Sequence, residues 1–148
     1  MINITSPGAY ANAALSQMEQ DAVAWLDGFY QLEHLLCTRM WAMKLCPEAS
    51  AEVKFASLVH DAERNFPGGP PSTPGNGFDD PDYLFAHSMR SADIVEEWLR
   101  GRTPAPDEAF TRRVRHLVRG RGRASRRRSR HPTPRQDPLS VECRVAGL

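Results

Sequence analysis

The 148-residue chain has no run of 18 apolar residues, so no membrane span is expected. Its opening stretch, MINITSPGAYANAAL, lacks a basic segment followed by a long apolar one, and no secretory signal is expected either. Cysteine is scarce. Cys37, Cys46 and Cys143 form no CxxC pair and leave one odd, which reads as reduced thiols in a cytoplasmic protein. Lysine is scarcer still: arginine outnumbers it 17 to 2, the bias of a GC-rich gene. No segment alternates apolar and polar residues as a half-buried strand does, which excludes a β fold. Between 111 and 148 there is no aromatic residue to stack on a base.

What the chain does contain is a divided charge. The net +1 conceals two unlike parts. Residues 1–110 carry 7 basic and 16 acidic side chains, a net of −9. Residues 111–148 carry 12 arginines and 2 acids, Asp137 and Glu142, a net of +10. An acidic body is joined to a basic segment. Apolar residues make up 41% of the chain, enough for a core in a body of this length.

The apolar residues of the body recur at helical spacing. Leu15, Met18, Ala22, Trp25 and Leu26 predict a first helix over 9–27. A second runs from about Tyr30 to Cys46, where Pro47 stops it. A third spans about Ser50 to Arg64, with Ser50 as its N-cap. Residues 65–79, rich in Pro and Gly, form a loop. Asp80-Pro81 opens a fourth helix that runs to about Arg100 with Leu84, His87, Ser91, Ile94 and Trp98 on one stripe. A fifth covers about Asp107 to Val118. The expected fold is all-α, a bundle of about five helices over 1–118, followed by a disordered basic tail over 119–148.

Three potential metal-ligating side chains fall on two of these helices. His60 and Asp61 end the apolar third helix, AEVKFASLVHD, and His34 sits in LEHLL of the second. Twelve residues separate His34 from Cys46 and ten separate Ser50 from His60, so the arms of the hairpin are nearly equal. At 1.5 Å per residue the two histidines reach similar depth. Imidazole and carboxylate suit divalent ions. A lone buried histidine is more often a hydrogen-bonded core residue. The matched register and the adjacent Asp61 favour ligation.

The stretch LEHLLCTRMWAMKLCPEASAEVKFASLVHDAER resembles the core of the HD-domain proteins, a superfamily of metal-dependent phosphohydrolases, over about residues 28–100. His34 matches the first histidine of that pattern, and His60 with Asp61 match its doublet. The resemblance implies a divalent ion (Mn, Fe, Co, Ni, Zn or Mg) and hydrolysis of a small phosphorylated compound such as a nucleotide. Asp61 would be both ligand and catalytic group, and His87 an auxiliary ligand. Arg64 and Arg90 are candidate phosphate contacts, because a guanidinium fork matches phosphate oxygens. Glu33 and Glu63 are candidate acceptors behind the ligand histidines. The family pattern closes with an Asp on a helix after about residue 116. Only Asp137 occurs there, beside Pro138, which argues against a helix and leaves the implied site one ligand short.

The basic segment RGRGRASRRRSRHPTPRQDPLSVECR admits two readings. An arm of this kind neutralises phosphates, which would make the protein a non-catalytic helical module with a nucleic-acid-binding tail. Its Arg, Pro, Ala, Gly and Ser are also what a shifted frame of a GC-rich gene encodes. The second reading, a frameshift near 119–121, better explains the lost periodicity and the missing Asp.

Overall fold

The computed structural model describes residues 14–71 and 80–120. These form five α-helices: α1 (Gln17–Trp25), α2 (Leu32–Leu45), α3 (Ala51–Val59), α4 (Pro81–Arg100) and α5 (Glu108–Arg119). A single 3-10 turn, Ala62–Asn65, follows α3. No strand occurs among the described residues, and none of their helices is long and apolar enough to cross a membrane. The expected tail lies outside the described residues from 121 onward, and with it Asp137.

Helix ends follow local chemistry. Ser16 caps α1 by accepting from the Glu19 backbone N–H, while the Glu19 carboxylate accepts from the Ser16 N–H. Gly28, at φ +80°, turns the chain out of α1 in a conformation that a side chain would strain. Ser50, Asp80 and Asp107 cap α3, α4 and α5, each side chain accepting one backbone N–H. The third helix departs from expectation. It was predicted to continue to Arg64, yet it ends at Val59. Asp61 leaves the helical region at φ −107° and ψ 17°, and the chain tightens into the 3-10 turn. The sequence carries no proline or glycine to announce this break, which turns Asp61 and Glu63 toward α4.

The core is apolar and continuous. Leu26, Leu35, Leu58, Val59, Val95, Leu99 and Val114 are fully out of water, and each contributes roughly 1.5–3 kcal/mol by burial. α2 packs against α3, α3 against α5, and α4 against α5. Aromatic rings join the layers: Trp25 stacks on Trp98 at 5.0 Å, and Phe55 lies 5.9 Å from Trp98 and 6.0 Å from Phe110. Cys37 is a free thiol. Cys46 is disulfide-bonded, so the expectation of three reduced thiols does not hold.

One buried ion pair ties α1 to α2. The Arg39 guanidinium donates to both carboxylate oxygens of Glu19 through Nε and Nη2, the latter at 3.0 Å. Both side chains are almost wholly buried. Arg39→Met is expected to lower the unfolding free energy by about 3–5 kcal/mol, because the Glu19 carboxylate is then buried without its fork. The double change Glu19→Leu with Arg39→Met is expected to recover all but about 1 kcal/mol, the share of the lost capping box. Denaturant melts of the three chains check both figures.

Two surface pairs contribute to the acid response. Arg102 and then Gln17 donate to Asp21 and hold its carboxyl below the usual range. Arg100 does the same for Glu108. A depressed carboxylate adds stability above its ordinary pKa and loses it as pH falls. The melting temperature is therefore expected to fall as pH drops below about 4.5. Asp21→Asn with Glu108→Gln is expected to lower it slightly at pH 7 and to flatten the acid fall, as thermal melts across pH will show.

Candidate metal centre

The α2–α3 hairpin brings the predicted histidines together. The rings of His34 and His60 lie 5.6 Å apart. His60 Nε2 is 3.4 Å from Asp61 Oδ1, and His34 Nε2 is 3.9 Å from Asp61 Oδ2. One ligand atom from each of the three side chains falls within 4.8 Å of the others. Two atoms bound to one ion at 2.0–2.2 Å stand at most about 4.4 Å apart. The measured separations therefore come within reach of one ion after a small turn of His34, whose side chain is 56% exposed.

Orientation matches that use. His60 Nδ1 lies 2.9 Å from the Ser57 carbonyl, which can only accept. Nδ1 therefore carries a proton, and in the neutral ring that an ion would bind, Nε2 would offer its lone pair on the side of Asp61. His60 and Asp61 side chains are only 10% and 8% exposed, so the doublet is fixed while His34 faces solvent.

Asp61 is anchored from the opposite side. His87 Nε2 donates to its Oδ1 at 2.9 Å, and His87 Nδ1 donates to Glu63 Oε1 at 2.6 Å. Burial alone would raise the Asp61 pKa. The hydrogen bond from His87 and the charges of His60, His87 and Arg64 outweigh it and hold the carboxyl well below the usual range. Burial alone would lower the His87 pKa, but its hydrogen bonds to Asp61 and Glu63 outweigh that and raise it.

The candidate residues thus divide. His34, His60 and Asp61 converge. His87 reaches the cluster, but both its ring nitrogens are committed to carboxylates, so in this arrangement it holds Asp61 and presents no lone pair. Arg90 does not face the cluster: it donates to the Pro67 carbonyl and lies 3.5 Å from Glu63 Oε2. Arg64 stays close enough to Asp61 to lower its pKa. Glu33 is exposed, whereas Glu63 is buried and serves as the acceptor behind His87. Ser91, on the same stripe of α4 as His87, accepts from the Glu63 backbone N–H at 3.4 Å. The Glu63–His87 bond spans 24 residues, and only the HD doublet and the helical stripe hinted at it.

His87→Phe is expected to cost about 3–5 kcal/mol in chemical denaturation, since it strands two buried carboxylates. His87→Phe combined with Glu63→Leu is expected to cost less than the single change, and a double-mutant comparison measures the difference. No family model, curated protein or solved structure matches the chain.

Proposed function

We propose that this chain is a metal-dependent phosphohydrolase of the HD type, acting on a small phosphorylated compound. The observation that carries the reading is the convergence of His34, His60 and Asp61 from two helices into one group of nitrogen and oxygen donors. Two imidazoles and a carboxylate suit Mn, Fe, Co, Ni or Zn, and Mg less well. When bound, such an ion supplies Lewis acidity toward a phosphoryl oxygen and a water of lowered pKa.

The chain's own residues do the rest. Asp61 is held ionised by His87, as a ligand must be. His60 offers a lone pair fixed by Ser57. His34 closes the group from the solvent side, and its exposure leaves that side open to substrate. Arg64 brings positive charge to the same neighbourhood, where a phosphate's oxygens gather charge during hydrolysis. The resemblance implied a closing Asp, and α5 carries none. Three protein ligands with an open side remain a workable set for a hydrolytic site.

Metal analysis of the full chain is expected to find about one divalent ion per chain. His60→Ala is expected to abolish it. His87→Gln is expected to keep the stoichiometry while weakening affinity by about 10–100-fold, the effect of removing support behind a ligand. A chain that binds no ion after loading with Mn, Fe, Co, Ni or Zn sinks the reading. A screen of phosphomonoesters with and without chelator then tests the reaction.

A further inference from the structure

Large apolar side chains meet water mainly along one helix. Among the described residues four such side chains are exposed. Trp41 at 45% and Leu45 at 65% lie on α2, and Tyr30 at 77% lies just ahead of it. At 3.6 residues per turn, Glu33, His34, Cys37, Trp41, Lys44 and Leu45 share one face of α2. Leu35, Arg39 and Ala42 are buried on the opposite face, which packs on α3 and, through Arg39, on α1. Lys44 Nζ stands 5.0 Å from the centre of the Trp41 ring, so a charge edges the patch. An apolar, aromatic centre with charged edges is the composition of a protein interface.

The spacing says which partner fits. Tyr30 and Leu45 are equidistant in sequence from the bond between Cys37 and Thr38, and so are His34 and Trp41. Turned end for end about that point, a second α2 sets its Leu45 against Tyr30 and its Trp41 against His34. The charges agree. Glu33 and Lys44, both exposed, come within about 3 Å, measured along the helix, of facing each other across the two copies. A parallel pair would oppose Glu33 to Glu33 and Lys44 to Lys44. The face is thus self-complementary, as a two-fold interface requires.

We propose that this face is the interface of an antiparallel homodimer, α2 on α2, with its two-fold axis at Cys37 and Thr38. The inference stands apart from the phosphohydrolase reading. An axis normal to both helices keeps like edges together. The two His34 edges, next to α3, share one side of the dimer, and the edges with Glu33 and Lys44 share the other. Trp41 of the second copy then borders each His34 from the seam, and each candidate centre stays reachable from the side of α3. A single pair of helices makes a small interface, so the dissociation constant is expected at about 1–100 μM.

The test is sedimentation velocity of the full chain, at low salt and without reductant, from about 5 to about 500 μM. A dimer is expected within that range, and a short bismaleimide is expected to join two chains through the free thiol of Cys37. Cys37→Ser is expected to lose the cross-link and keep the sedimenting dimer. Trp41→Ser is expected to weaken association by about 100-fold or more without moving the denaturant midpoint. Glu33→Lys and Lys44→Glu are each expected to weaken it about tenfold, and the two together to restore it. The proposal is overturned if the chain stays monomeric throughout, if the dimer survives Trp41→Ser, or if the double exchange is as weak as the single ones. A face that serves a different protein, or that is covered within one chain, gives the first of these results.

Discussion

The carboxylate of Asp61 is the constraint around which this structure is arranged. It is ionised and nearly out of water, a state that no apolar surroundings would tolerate. His87 meets that need from α4, but a buried imidazolium needs its own counter-charge, which Glu63 provides. Glu63 in turn is held by Arg90 and by the Ser91 hydroxyl at its backbone. The alternation of sign runs Asp61, His87, Glu63, Arg90 and ends on the carbonyl of Pro67. Each member would be costly without the next, so the exit of α3, the middle of α4 and the segment after the 3-10 turn are locked as one unit.

That lock has a consequence for chemistry. It commits Asp61 Oδ1 to His87 and leaves Oδ2 on the side of His34. His60 is fixed separately, its ring held by its own helix through Ser57. The doublet is thus positioned by buried bonds, while His34 approaches from a solvent-facing helix. A rigid pair plus one accessible donor suits a site that must hold a cation and still admit a substrate.

The parts of this arrangement legible in the sequence were those with local signals. The helices follow apolar spacing and capped starts. His34 and His60 were matched because the arms of their hairpin are nearly equal in length, a property of residue counting alone. What the sequence concealed were pairings across long separations. Arg90 reads as a phosphate contact because guanidinium chemistry is all that a sequence displays. Its partners lie more than 20 residues away, where no periodicity points. Glu19 with Arg39 was hidden for the same reason. The end of α3 at Val59 was missed because it is set by the tertiary partners of Asp61 and Glu63, not by a helix breaker.

The charge boundary of the chain looks different in the folded molecule. The sequence turns basic at residue 111, in the middle of α5, yet α5 belongs to the bundle. Thr111, Val114 and Val118 are buried on its inner face. Arg115 pairs with Asp93 at 2.6 Å and also with Glu96, both on α4. Arg100 of α4 answers with Glu108 of α5 at 2.7 Å. Arg115 of the basic segment therefore serves an acidic helix within the fold. The helical periodicity ends at Val118, several residues after the change of charge. Charge thus marks no structural boundary: the +10 segment begins inside a helix whose inner face is part of the bundle.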